Sequence, residues 1–249
     1  MDDRVSISVI TAAYNSSATI RQTIESVLNQ TKPCLEYFII DGASEDDTVS
    51  IAKEYQEEFK KRGTDYRIIS EKDNGIYDAM NKGIALSSGT LVGLLNSDDW
   101  YEPVTVETVI QEYEKSPFDM IYADLRMIRN EKMIGIKKAR LRNHYITTRD
   151  WNHPTTFITR EMYEIYRYPC ESVYDDLDLL LKIRKDGRKV AIVNKVLANY
   201  RLGGASNKKT WADARERMRL KYRIYRENGY SRFYILEAFA METAKFILS

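Results

Sequence analysis

The 249-residue chain carries 38 Lys or Arg against 37 Asp or Glu, a net charge of +1, with 43% hydrophobic and 30% charged residues. That balance excludes a disordered chain and gives no global electrostatic case for nucleic acid, while the length suits one large domain or a domain with a small appendage. Cys34 and Cys170 stand far apart without CxxC spacing, which excludes a disulfide framework and a cysteine zinc site and fits a reducing cytosol.

The N-terminus, MDDRVSISVI, is acidic and then strand-like, unlike a secretory signal. No apolar run approaches the roughly 18 residues of a spanning helix. The expected location is therefore cytoplasmic.

Residues 5–12 read as a first strand, followed by Ile20, Ile24, Val27 and Leu28 at helical spacing and a break at Pro33. A second strand covers 35–41. Ser44 is placed to cap a helix carrying Ile51, Ala52, Tyr55 and Phe59, stopped by Gly63. A third strand, 66–70, leads to a helical face of Ile76, Ala79, Met80, Gly83 and Ile84, and a fourth strand spans 90–96. Strand and helix alternating four times predict βαβ units on a parallel sheet. Ligands of such sheets bind beyond the carboxyl ends of the strands. Those ends are 11–15, 41–44, 71–74 and 96–99; all are polar and three contain Asp.

The second half is less regular. Residues 119–128 and 133–139 resemble strands, and 155–160 is a short one behind Trp151-Asn152-His153-Pro154. Residues 174–187 predict a helix with Leu177, Leu180 and Leu181 inward; 189–202 is a long strand or a bent pair. The last 45 or so residues read as two helices separated by Gly229, and the composition shifts near Gly203-Gly204.

Asp98 and Asp99 end an apolar run. They either start a helix or hold a hard cation, Mg²⁺ or Mn²⁺, which takes one or two carboxylates and completes its shell with phosphate and water. Asp41-Gly42 is either a turn or places a carboxylate to accept the N3–H of uracil. Lys72, Asp73 and Asn81 are polar groups beside the same cleft, and Thr11, Ala13 and Tyr14 form the first strand's lip. Tyr14 either lies against a base or packs on the rim. His153 is either structural or, with Trp151 suited to a sugar face, part of an acceptor site. Gly203-Gly204-Ala205-Ser206 is a turn or a loop over a diphosphate.

The stretches SVITAAYNSSATIRQTIESVLNQ, EYFIIDGASEDDT, EKDNGIYDAMNKGIALSSGTLVGLLNSDDW and YDDLDLLLKI together resemble the family 2 glycosyltransferases with the GT-A fold, from about residue 5 to about 205. The likeness is nearest to the branch that builds bacterial capsular, colanic-acid-like or lipopolysaccharide sugars. It implies a GT-A, Rossmann-like α/β fold with a mixed, mostly parallel sheet. It implies a nucleotide-binding half (1–100), an acceptor half (101–205) and a helical extension (206–249). It also implies a UDP-linked sugar donor, an inverting transfer to a hydroxyl of a glycan or lipid-linked glycan, and an acidic metal motif at 96–99. The donor would be bound by Thr11, Ala13, Tyr14, Asp41, Asp73, Asn81, Asn96 and Asp98, with the metal on Asp98 and Asp99. Asp176 would be the catalytic base, with Trp151, His153 and Asp175 on the acceptor. Three positions depart from the pattern: Asn96 stands where Asp is usual, Met80 where an Arg contacts phosphate, and Asp175-Asp176 where Glu-Asp is usual. Lys72 or Lys82 is left to replace the Arg.

Two rivals differ in features the sequence can address. A nucleotidyltransferase would need a Gly-rich basic loop after the first strand, and TAAYNSSAT contains no Gly, Lys or Arg. A non-catalytic nucleotide-sugar-binding subunit would have no need of the Asp175-Asp176 pair. Finally, 208–226 holds eight Lys or Arg against two acids, and 231–248 is apolar nearly all round. The first is a docked helix with a solvated basic side or a surface for anionic lipid on the inner face of the membrane; the second must pack on the domain, a second subunit of a homodimer or the membrane.

Overall fold

The computed structural model describes residues 5–203 and 210–248. Its centre is a nine-stranded sheet in which β3 (Asp65–Ser70), β2 (Glu36–Asp41), β1 (Ile7–Ala13) and β4 (Leu91–Leu94) run parallel in that spatial order. β1 and β2 are buried along their whole lengths, which is why both read as continuous apolar runs rather than alternations. The direction reverses at β8 (Phe157–Thr159) and is restored at β6 (Met120–Arg129), which pairs in parallel with β9 (Val190–Arg201). β7 (Lys132–Lys137) forms a hairpin with β6, and the two-residue β5 (Trp100–Tyr101) closes the far edge on β9.

Helices α1 (Ile20–Leu28), α4 (Ile76–Leu86), α5 (Thr105–Lys115) and α7 (Asp175–Lys185) cover the sheet, and one apolar core lies on each face. α4 approaches β1 so closely that a Cβ on Gly83 would stand 2.4 Å from Ile10 Cγ2. Only glycine allows that spacing.

Several elements differ from the sequence reading. The helix expected after Ser44 is two, α2 (Thr48–Lys53) and α3 (Gln56–Arg62), and Ser44 caps neither, because its hydroxyl and N–H both donate to Asp41. α5, β5 and the short α6 (Arg160–Ile165) were not anticipated. Residues 190–201 are one strand, whose register against β6 slips on either side of Asp124.

The C-terminal helices are α8 (Trp211–Glu227) and α9 (Tyr234–Leu248). The basic stripe of α8 is not wholly solvated: Lys221 is fully buried, 3.0 Å from Glu242, and Arg217 pairs with the same carboxylate at 2.9 Å. Nor does α9 present an even apolar surface, since Glu237 and Glu242 face inward and Leu236 and Phe239 outward. No helix among the described residues is long and apolar enough to cross a membrane.

Candidate active site

Parallel strands put the polar residues after β1, β2, β3 and β4 along one edge. The loop after β1 is fastened to both neighbours. Asn15, in the left-handed region at φ 46, accepts the Glu45 N–H and donates its own N–H to Ser44 Oγ. Ser16 shares a hydrogen bond of 2.7 Å with Ser97 in the loop after β4. Tyr14 stands out from this rim with 62% of its surface exposed. Ala13 is buried beside Asp41, and Thr11 turns inward, its hydroxyl 3.0 Å from that of Tyr37. Of the three lip residues, Tyr14 alone offers a side chain to the cleft.

Asp41 is fully buried and accepts from the Ser44 N–H and hydroxyl and the Ser70 hydroxyl. It is thus built into the loop, with both carboxylate oxygens engaged by neighbouring side chains and backbone. A Cβ on Gly42 would meet Asp73 Oδ2 at 2.6 Å, so the missing side chain lets the loop after β3 seat its carboxylate against the loop after β2. Asp73 also accepts the Gly75 N–H, which opens α4.

After β4 the chain turns through Asn96–Asp99, closed by the Asp99 N–H on the Asn96 carbonyl. The adjacent carboxylates differ. Asp98 is partly exposed, and burial still pushes its carboxyl above the ordinary range. Asp99 is completely buried; burial first, then the neighbouring charge of Asp98, raise its carboxyl well above normal. Asp99 Oδ1 accepts the Arg201 N–H at 3.1 Å. Among the described residues no donor bonds Asp99 Oδ2 or Asn96 Oδ1, although both are buried. Two orphaned oxygens and a like-charge pair are what a hard cation would relieve. No group of three or more His, Cys, Asp or Glu is placed to hold a metal ion among the described residues. The donor set therefore suits a cation that draws the rest of its shell from a bound phosphate, and Asp98, Asp99 and Asn96 fit that role.

Arg201, which the sequence reading passed over, is fixed here. Its guanidinium lies over the Trp100 ring, pairs with Glu131 and donates to Gln22 and to the Asp98 carbonyl. Its only sequence signal was a basic residue closing a long strand. Lys82 is held by Glu71 at 2.9 Å and by the Lys72 carbonyl, whereas Lys72 itself is exposed; Met80 is buried in the core. Of Gly203–Ser206, only Gly203 (φ 119) falls inside the described residues.

The second half of the chain meets this edge through α4. The Asp176 N–H donates to the Tyr77 hydroxyl at 3.5 Å, and Tyr77 stacks on Tyr168. Burial, reinforced by the Asp176 charge, holds the Tyr77 phenol neutral. Asn81 clasps the 168–170 loop, donating to the Tyr168 carbonyl and accepting its N–H. That clasp occupies the amide expected to face the donor. Asp175 is buried, its oxygens accepting the Glu171 and Ser172 N–H groups, so it ties the preceding turn to the first residue of α7. Asp176 is partly exposed beside it.

His153 begins a 3₁₀ turn (His153–Thr155); burial lowers its pKa and the charge of Asp176 opposes that. Trp151 is only 7% exposed, with its indole N–H on Thr156 Oγ1 and its edge against His153. It packs behind His153 and does not offer the open sugar platform expected of it.

Known proteins agree with this architecture. The chain is 31% identical over 204 residues to the chondroitin synthase of Escherichia coli, covering 80% of this chain and 29% of that protein. It is 35% identical over 124 residues to a PGL/p-HBAD biosynthesis glycosyltransferase of Mycobacterium tuberculosis, covering 48% and 46% of the two chains. It thus spans less than half the length of either relative. Among solved structures, S. aureus TarS in complex with UDP-GlcNAc superposes with a TM-score of 0.68 at 16% identity, over 98% of this chain and 73% of the other. The mannosyltransferase PcManGT of Pyrobaculum calidifontis, in complex with GDP-Man and Mn²⁺, gives 0.68 at 16%, over 99% and 75%. These two likenesses establish the GT-A fold. The profile described as Glycosyl transferase family 2 matches residues 8–170, and the chain belongs to that family.

Proposed function

We propose that the chain is an inverting glycosyltransferase that moves a sugar from a nucleoside diphosphate sugar, uridine-linked, to a hydroxyl of a glycan or lipid-linked glycan in bacterial surface polysaccharide synthesis. The observation that carries the reading is the Asn96–Asp99 turn: acidic, at the carboxyl edge, with Asp99 Oδ2 and Asn96 Oδ1 buried and without a well-formed hydrogen bond among the described residues. Relatives named as glycan-building enzymes and neighbours solved with UDP-GlcNAc or GDP-Man support the donor class.

In this reading residues 1–100 hold the donor and 101–205 the acceptor. Tyr14 and Asp41 lie at the base, and Asp73 and Asn96 line the ribose and diphosphate. Asn81 acts indirectly, by placing the 168–170 loop. Asp98 and Asp99 would hold Mg²⁺ or Mn²⁺, which would supply positive charge for the departing diphosphate. Asp176 removes the acceptor proton as that oxygen bonds to the anomeric carbon, while the carbon–oxygen bond to the diphosphate breaks with its electron pair on the phosphate side. His153 sits on the acceptor side of Asp176, and Asp175 fixes the loop that carries it.

The test is a donor screen by thermal shift with Mn²⁺, followed by product analysis with a glycan acceptor. UDP-sugars should stabilise the protein in preference to GDP-, CMP- and dTDP-sugars, and turnover should release UDP without pyrophosphate. Pyrophosphate release would favour a nucleotidyltransferase, and donor binding without turnover a binding subunit.

A further inference from the structure

α9 is built with its polarity reversed. Glu237 and Glu242 are buried against Lys221 and Arg217, while Phe233, Ile235, Leu236, Phe239 and Phe246 are exposed, Leu236 at 64% and Phe233 at 62%. An ordinary surface helix does the opposite. A basic loop from a distant part of the chain packs on the same helix. The loop before Trp151 runs against α9, with Tyr145 stacked on Tyr234 at 5.1 Å and Thr148 Oγ1 3.3 Å from Glu237 Oε1. Residues 124–150 hold eight Lys or Arg and three acids; Lys138 pairs with Asp124 and Arg142 with Asp150, and Arg126 pairs with Glu102. Arg140, Arg142 and Arg149 of that loop are exposed, as are Leu141 and Tyr145. On α8 the exposed charged residues are Arg215, Arg219, Arg223 and Arg226 against Glu216 and Glu227, the last paired with Arg223.

We infer that α9 and the 140–149 loop together form a docking face for an anionic phospholipid bilayer. Phenyl and leucyl groups enter the boundary between headgroups and acyl chains, and the arginines meet lipid phosphates around them. Charge decides against a second copy of the chain, because the same face on both partners would set arginine against arginine. It also decides against a soluble polyanion, which would leave the apolar stripe in water. The inference is independent of which sugar is transferred.

The test is flotation of the full chain with phosphatidylcholine vesicles, with and without phosphatidylglycerol. Flotation is expected only with the anionic lipid. Leu236→Glu with Phe239→Glu should abolish it without lowering the melting temperature, because both side chains are already exposed. Arg140→Gln with Arg149→Gln should weaken binding by about fivefold for each charge removed. Absence of flotation, or flotation indifferent to lipid charge, overturns the inference. So does a dimer in light scattering that the Leu236→Glu, Phe239→Glu variant converts to monomer, since the face then belongs to a second copy.

Discussion

Tyr77 and Asp176 are 99 positions apart in sequence, yet the Asp176 N–H donates to the Tyr77 hydroxyl. The contact pins the start of α7 to the start of α4, the helix that follows the loop carrying Asp73. The proposed base is thus located from the first half of the chain, and its strength as a base can be tested apart from its location.

Asp176→Asn is expected to leave donor binding nearly intact while lowering kcat by about 10²–10⁴-fold, the usual contribution of a positioned general base. Donor affinity by calorimetry and single-turnover rates separate the two quantities. A loss of only a few-fold would return the acidic cluster of α7 to a helix-dipole role.

Asp175→Ala should do the reverse. It strips the Glu171 and Ser172 N–H groups of a charged acceptor, at a cost of about 1.5–3 kcal/mol for such bonds. The loss should appear in denaturant midpoint, with a smaller effect on kcat than Asp176→Asn.

His153 gives a pH dependence of fixed sign. Burial lowers its folded pKa below the unfolded value, so the unfolded chain binds the proton more tightly. Its contribution to stability is complete above the unfolded pKa and is lost as pH falls toward the folded one. His153→Gln should flatten the wild-type decline on the acid side of about pH 6.5. Asp176→Asn should lower the His153 pKa further, read by NMR titration; an unchanged value would show that the two groups do not interact.

Asp98→Ala is expected to abolish both turnover and the effect of Mn²⁺ on donor binding. Asp99→Ala should do the same and also release the end of β9, where Oδ1 holds the Arg201 N–H. Full activity of Asp98→Ala in excess chelator would remove the metal role.

Lys221→Met should destabilise the protein by about 3 kcal/mol, because breaking a buried ion pair leaves Glu237 without a countercharge and Glu242 with Arg217 alone. Chemical denaturation measures this, and the Lys221→Met, Glu237→Gln, Glu242→Gln triple variant should recover part of the loss.

The first half of the fold was legible because its strands and helices are long enough to show their periods, and parallel strands leave their ends on one edge whatever the loops do. The second half was legible in part: β6, β7, β8, β9, α7 and the two terminal helices were expected, but β5 has two residues, too few for any period. Lys221 reads as solvated because its countercharges, Glu237 and Glu242, come from the next helix, and no local pattern reveals them. Trp151 reads as a sugar platform until Thr156 is seen to take its indole N–H. Asn81 has the residue type of a ligand contact, but its partner is a backbone 87 positions away.

Tyr77 and Asn81 lie one helical turn apart on α4, and both grip the segment between Tyr168 and Asp176. That turn therefore acts as a gauge. Adding one residue between them would swing one grip about 100° from the other, so this interval should tolerate substitution far better than any change of length, whichever sugar the cleft receives.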